Sequence, residues 1–140
     1  MAVSQLLILT YKIYYMKKQA IFLMLNLFLS IGVFAQQQIS TVIYFQTAKA
    51  ELTEQSKKEL NEFTQRLKNY GDYSLEVKAH TDNRGDDAYN MNLSNERSTS
   101  VMNYLTILGI ESSKSKAAFF GESRPDYTNE TKEGMQKNRR

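Results

Sequence analysis

A carboxylate and a guanidinium occupy positions from which they can act together on one ligand. Asp82 lies in the segment His80–Gly85 (HTDNRG), and Arg97 follows fifteen residues later. Arg97 is four residues from both Leu93 and Val101, so helical spacing places it on their apolar face. A guanidinium that faces inward must pair with an acid or bind an anionic group. Together the two side chains suit a ligand that carries both an ammonium and a carboxylate.

Other interpretations of these residues are open from the pattern alone. Asp82 and Arg97 could form a salt bridge that only stabilises the fold, because inward-facing ion pairs are often structural. His80 is the only histidine and there is no cysteine, so a zinc site would lack further nitrogen or sulfur ligands. No nucleophile is paired with a base in a way that indicates catalysis. We therefore predict no metal, no cofactor and no enzymatic activity.

Hydrophobic periodicity predicts three strands and three helices in alternation. The strands are predicted at Thr41–Gln46, Tyr73–Ala79 and Lys116–Phe120, and the helices at Thr53–Tyr70, Asp87–Leu108 and Glu130–Lys137. The first strand is apolar on both faces, as a central strand would be. Thr53, Asp86 or Asp87, and Asn129 are the predicted N-caps. Strand–helix–strand order predicts parallel pairing in an α/β fold.

Several spaced motifs resemble a known family. They are Val77–Gly85 (VKAHTDNRG), Asn90–Arg97 (NMNLSNER), Phe120–Pro125 (FGESRP) and Asn138–Arg140 (NRR). In this order they resemble the OmpA-like domain, which binds peptidoglycan in outer-membrane protein A, peptidoglycan-associated lipoprotein and flagellar stator proteins of Gram-negative bacteria. The resemblance runs from Thr41 to Arg140. It implies a two-layer α/β sandwich of β-α-β-α-β order with a mixed sheet.

The resemblance also implies a ligand and a role for each site residue. Peptidoglycan of this type contains diaminopimelate, whose free end bears an ammonium and a carboxylate on one carbon. The resemblance implies that Asp82 accepts from the ammonium and that Arg97 holds the carboxylate with its planar fork. Asn90, Thr81 and Asn83 are the other diaminopimelate contacts that we predict.

Four further charged or titratable residues in the motifs are expected to lie outside the ligand contacts. His80 is expected to fix the turn into the loop through its ring nitrogens. Arg84 is expected to be solvated, and Arg139-Arg140 to be exposed charge. In the family a final strand follows this arginine pair, and the sequence stops there, so we expect either a domain that is truncated at its C-terminus or one that lacks this strand.

The first 40 residues predict a targeting segment. A basic start at Lys17-Lys18 precedes a short apolar run, so residues 16–35 are predicted to be a secretory signal peptide. The run is shorter than the roughly 20 residues of a membrane span, although an uncleaved inner-membrane anchor of the stator type is an alternative. Residues 1–15 are predicted to be a misassigned upstream start, and residues 36–40 a linker to the domain at 41–140. Without cysteine, a lipidated cysteine anchor is excluded.

The charge balance argues against one class of partner. The net charge is +3, from 18 basic and 15 acidic residues. Lys12, Lys17 and Lys18 precede the predicted cleavage site, and the 15 basic residues that remain balance the 15 acidic ones. No basic stripe is left for nucleic acid.

From these observations we predict a periplasmic, non-catalytic domain associated with the cell wall or outer membrane. It would tether itself, or an outer-membrane protein partner, to peptidoglycan, with no stable membrane span after signal cleavage. The alternatives are a truncated or degenerate fragment that keeps the fold without binding, an inner-membrane-anchored stator-like protein, and an enzyme that acts on cell-wall material.

Overall fold

The computed structural model describes residues 15–19 and 38–140. The chain divides into two units, residues 1–38 and residues 39–140, and residues 15–19 of the first unit are helical. Residues 1–14 of the predicted upstream start (1–15), most of the predicted signal peptide and the first two linker residues lie outside the described residues. In the described part of the chain, no helix has both the length and the apolar character needed to cross a membrane.

Three helices alternate with two strands in the second unit. They are α1 (Glu54–Leu67), β1 (Leu75–Ala79), α2 (Asp87–Ile107), β2 (Ser115–Phe119) and α3 (Lys132–Asn138), with a single 3-10 turn at Ser112–Lys114. β1 and β2 pair in parallel, with Leu75 opposite Ser115 and Ala79 opposite Phe119. The α/β class and the parallel pairing confirm the predictions from the sequence.

Side chains cap the helices where the chain enters them. Thr53 accepts a hydrogen bond from an α1 backbone N–H at 3.1 Å, and Asp86 accepts one from α2 at 2.7 Å. Each cap satisfies an N–H that the first helical turn leaves free. The prediction of Asn129 as the third cap was wrong, because Thr131 accepts from the first turn of α3 at 3.0 Å. Asn129 instead accepts from the side chain of Asn138 at 2.9 Å.

The segment Thr41–Gln46 has no regular secondary structure and forms no ladder with the described residues. The N–H of Phe45 donates to the carbonyl of Arg139 at 2.9 Å. Ile43 and Phe45 are buried, whereas the intervening Tyr44 is 41% exposed. The prediction of a central strand with two buried faces was wrong, because a ladder needs a continuous neighbouring backbone and Arg139 supplies a single backbone–backbone hydrogen bond. The described sheet is therefore two parallel strands rather than the mixed sheet that the resemblance implied.

The hydrophobic core is built by one face of α1, one face of α2, the segment Thr41–Gln46 and Ile110, which follows α2. Its buried members are Ile43, Phe45, Leu60, Phe63, Leu67, Val101, Leu105 and Ile110. Burying each large apolar side chain stabilises the fold by about 1.5–3 kcal/mol. The same face of α2 carries Asn90 and Arg97, both buried, so the helix that packs the core also carries two polar side chains into the interior.

Candidate functional site

Arg97 projects from the middle of α2 into the interior and has no exposed surface. Its guanidinium donates to three backbone carbonyls, those of His80 at 2.8 Å, Lys49 at 3.0 Å and Gln46 at 3.2 Å. It also lies 5.0 Å from the centre of the Phe45 ring. Burial lowers the pKa of Arg97 to about 10, so the side chain stays charged at neutral pH. The inward position is the one that helical spacing predicted.

A tight turn brings two of these carbonyls to Arg97. Ala48 adopts φ of 54°, the left-handed region that costs a non-glycine residue about 1–2 kcal/mol. The N–H of Lys49 donates to the carbonyl of Gln46 at 3.3 Å and closes the turn. The backbone is thus strained at Ala48, in the turn whose carbonyls bind the Arg97 guanidinium. Strained backbone residues often cluster at functional sites.

Asp82 lies in the loop after β1 and is 5% exposed. Its Oδ2 accepts from Arg84 Nη2 at 2.6 Å, from Arg84 Nε at 3.1 Å and from Arg139 Nη1 at 2.7 Å. Burial favours a raised pKa of Asp82, but hydrogen bonds from Arg84 and Arg139 outweigh it and hold that pKa below its ordinary value. Within residues 38–140, Asp82 forms no ion pair with Arg97, so the structural Asp82–Arg97 salt bridge considered above is absent.

Arg139 was missed as a site residue by the sequence analysis. It is 7% exposed, and besides Asp82 it donates to the carbonyl of Phe45 at 3.2 Å and to the side chain of Gln136. The prediction that Arg139 is exposed charge was wrong, because the end of α3 turns the guanidinium toward the loop after β1. The place of the arginine pair in the family resemblance was a signal that could have identified it.

Asn138 fixes the backbone next to Arg139. Its side chain is fully buried and makes four hydrogen bonds. Oδ1 accepts from the N–H groups of Asp126 at 3.1 Å and Tyr127 at 3.0 Å, while Nδ2 donates to the Tyr127 carbonyl at 2.7 Å and to Asn129 at 2.9 Å. The loop before α3 and the end of α3 are therefore joined at the residue that precedes Arg139.

Two of the predicted contact residues carry buried polar atoms that lack partners. Thr81 and Asn90 are each 1% exposed, and within the described structure Thr81 Oγ1 and Asn90 Oδ1 have no hydrogen-bond partner. The amide nitrogen of Asn90 donates to the Glu122 carboxylate. A buried acceptor without a partner costs about 1–3 kcal/mol and calls for an explanation such as a bound group. Asn83, the remaining predicted contact, is exposed at the rim of the loop.

Gly121 joins the end of β2 to both halves of the site. Its carbonyl accepts from the Thr81 N–H at 2.9 Å, and its N–H donates to Ser94 Oγ at 2.9 Å. Its φ is +53°, and a Cβ there would lie 3.2 Å from the backbone nitrogen of Met91. Glycine is needed at this position because α2 and the loop before Asp82 approach the same residue.

His80 is buried beside the site and has a supporting role that differs from the prediction. Its ring stacks on Phe120 with 5.1 Å between the ring centres, and Arg124 also lies over the Phe120 ring. The prediction that ring nitrogens fix the loop was wrong for Nδ1, which has no hydrogen-bond partner in the described structure. Burial, with the nearby charge of Arg140, lowers the pKa of His80 to about 4, so the ring is neutral at pH 7.

The cluster as a whole has an excess of positive charge. Three guanidinium groups, from Arg84, Arg97 and Arg139, are grouped around the carboxylate of Asp82, so positive charges outnumber negative charges among these four side chains. Each guanidinium has five N–H donors, and Arg97 uses three of them on carbonyls. The arrangement suits an anionic group, with an acid alongside that can accept from a cationic one.

Comparison with known protein families finds one match over most of the described chain. A family model described as "OmpA family" matches residues 44–139. The matched range contains Asp82, Arg97 and Arg139, and it confirms the family resemblance drawn from the motifs.

Individual proteins and solved structures are also similar to this chain. Outer membrane porin F of Pseudomonas aeruginosa is 36% identical over 99 residues, which are 70% of this chain and 28% of that protein. The peptidoglycan-associated lipoprotein of Buchnera aphidicola is 31% identical over 98 residues, 70% of this chain and 57% of that protein. The crystal structure of the peptidoglycan-associated lipoprotein from Burkholderia pseudomallei matches with a TM-score of 0.65 and 25% identity, over 69% of this chain and 82% of that one. The chain thus spans between about a quarter and three fifths of these two sequence relatives.

Proposed function

Because this chain belongs to the OmpA family, we propose that it binds peptidoglycan without catalysis and holds itself, or an outer-membrane partner, to the cell wall in the periplasm. The observation that carries the proposal is the cluster of three guanidinium groups around the Asp82 carboxylate. A relative named for its association with peptidoglycan matches this chain in sequence, and another protein of that name matches it in fold.

The ligand that we propose is the free end of diaminopimelate in the stem peptide. Its carboxylate would bind the positive cluster through the remaining N–H groups of Arg97, because charge-assisted bonds to a planar fork are strong and directional. Its ammonium would be accepted by Asp82. Thr81 and Asn90 support this assignment with buried oxygens that have no partner in the described structure, and Asn83 is exposed where the rest of the stem peptide would pass.

The number of contacts sets the expected affinity. A hydrogen bond to a charged group contributes roughly 1.5–3 kcal/mol net. Two or three such bonds give about 4–8 kcal/mol, a dissociation constant between about millimolar and micromolar. Retention on the wall would then depend on the polymer, which presents many copies and raises the effective concentration of the ligand.

Sedimentation with insoluble peptidoglycan tests the proposal. Asp82→Ala and Arg97→Ala should each lose retention, and Arg97→Lys should lose most of it, since one ammonium cannot replace a fork. The matched controls remove the same charges elsewhere. Asp72→Ala removes a carboxylate from a side chain that is 97% exposed, and Arg66→Ala removes an exposed guanidinium from α1. Both controls should be retained like the wild type.

Comparing two types of peptidoglycan distinguishes the ways in which the proposal could be wrong. Peptidoglycan with lysine in place of diaminopimelate lacks the terminal carboxylate and should retain much less protein. Equal retention on both polymers would refute the diaminopimelate assignment while leaving wall binding intact. A wild type that is folded by circular dichroism yet not retained on either polymer would favour a fragment without binding. Release of soluble muropeptides over time would contradict a non-catalytic role.

A further inference from the structure

Arg84 bridges two segments across the front of the site. Its guanidinium donates to Asp82 Oδ2 through Nη2 at 2.6 Å and Nε at 3.1 Å, and its backbone N–H donates to Asp82 Oδ1 at 3.2 Å. The same Nη2 donates to Thr47 Oγ1 at 3.1 Å. Hydrogen bonding to Asp82 raises the pKa of Arg84. One side chain thus joins the loop after β1 to the turn that precedes α1.

The two joined segments are the ones that hold Arg97. The carbonyl of His80 comes from the first, and those of Gln46 and Lys49 come from the second. With the bridge in place Arg97 has no exposed surface, and Asp82 is 5% exposed. The two residues proposed to bind the ligand are therefore covered in this conformation.

Arg84 is held less firmly than the other guanidinium on Asp82. Its side chain is 48% exposed, whereas that of Arg139 is 8% exposed. Arg139 is further fixed by the Phe45 carbonyl and by Gln136. Because water reaches the half-exposed guanidinium of Arg84, it can leave Asp82 and be solvated, so an incoming cation can replace it while the buried Arg139 stays in place.

We propose that Arg84 is a tethered cation which occupies Asp82 in the unbound protein, and that the ammonium of the ligand displaces it. The inference rests on the proposed function, because it assigns the event that opens the same site. Displacement frees Asp82 for the ammonium and breaks the bridge to Thr47, which uncovers Arg97 for the carboxylate. A ligand that carries only a carboxylate has no cation that could take the place of Arg84 on Asp82. The contact therefore makes the site selective for a group that carries both charges.

Calorimetric titration with a soluble diaminopimelate-containing muropeptide tests the inference. Arg84→Ala should bind about two- to fivefold more tightly than the wild type, because a half-exposed guanidinium that competes for Asp82 has been removed. The same muropeptide acetylated on the terminal amine should bind weakly to both proteins and show no such gain. Arg124→Ala is the matched control. It removes an exposed guanidinium that lies over Phe120, close to the site, without touching Asp82, and its affinity should not rise.

The outcomes distinguish this inference from the proposed function. If the wild type binds and Arg84→Ala binds equally well or less tightly, Arg84 is not a competitor and the inference is overturned, while the proposed function stands. An equal gain in Arg124→Ala would also overturn it, since a general loss of positive charge would explain the effect. If neither the wild type nor Arg84→Ala binds the free muropeptide and neither is retained on insoluble peptidoglycan, the proposed function itself fails.

Discussion

Replacing Asn138 should show how much of the site depends on one neutral side chain. Asn138→Ala removes four hydrogen bonds, of 2.7 to 3.1 Å, which join the end of α3 to the loop at residues 126–129. A neutral hydrogen bond contributes about 0.5–1.5 kcal/mol net. The four bonds together predict a loss of about 2–6 kcal/mol in the free energy of unfolding, which is a large part of the roughly 5–15 kcal/mol of a typical domain.

A matched variant separates these hydrogen bonds from other effects of the substitution. Asn129→Ala removes one of the same four bonds, the one between the two asparagine side chains, and should cost about 0.5–1.5 kcal/mol. Urea unfolding followed by circular dichroism measures both values. Equal losses in the two variants would refute the reasoning, because the buried amide would then contribute no more than its single contact with Asn129. Asn138→Ala should also weaken peptidoglycan retention, since Arg139 follows it directly.

Three other perturbations test separate parts of the structure. Gly134→Ala should disrupt α3, because an added Cβ would lie 1.9 Å from the Thr128 carbonyl oxygen; urea unfolding should show a loss of several kcal/mol, on the scale of other severe packing defects. Gly121→Ala should cost about 1–3 kcal/mol, because its φ of +53° disfavours a side chain, and a normal unfolding midpoint would contradict this. The folded pKa of His80 is about 4, below the ordinary 6.5, so its contribution to stability is complete above pH 6.5 and is lost as the pH falls toward 4. At pH 5 the loss is about 2 kcal/mol relative to pH 7.5, and His80→Phe should remove that part of the pH dependence.

Features set by neighbouring residues in the sequence were predictable. The caps Thr53 and Asp86 lie where short polar side chains precede amphipathic stretches, and both are observed. Alternation identified β1, in which Val77 is half-buried and Glu76 and Lys78 are exposed. The inward position of Arg97 followed from its spacing to apolar residues of the same helix. Each of these predictions needs only the geometry of one element.

Features that depend on distant segments were not predictable in the same way. Asp82 and Arg139 are 57 residues apart, and no local period connects them. The sequence suggested that Asp82 pairs with Arg97. In the structure Asp82 instead pairs with Arg84 and Arg139, because the loop after β1 and the end of α3 bring these two guanidinium groups to it. Likewise, Thr41–Gln46 has the composition of a central strand, yet composition does not supply the continuous neighbour that a ladder requires.

The way in which Arg97 is held bears on why its charge is there. A carboxylate partner would have neutralised the guanidinium and made the pair complete, as in a structural salt bridge. Backbone carbonyls instead fix its orientation and leave its positive charge without a bonded carboxylate. Burying this charge is unfavourable, as the lowered Arg97 pKa of about 10 indicates. With Asp82 already shared between Arg84 and Arg139, folding brings three guanidinium groups together around one paired carboxylate. On the proposed function, a bound carboxylate would relieve that repulsion only in the folded state, so we expect ligand binding to raise the free energy of unfolding and to offset the cost of burying Arg97.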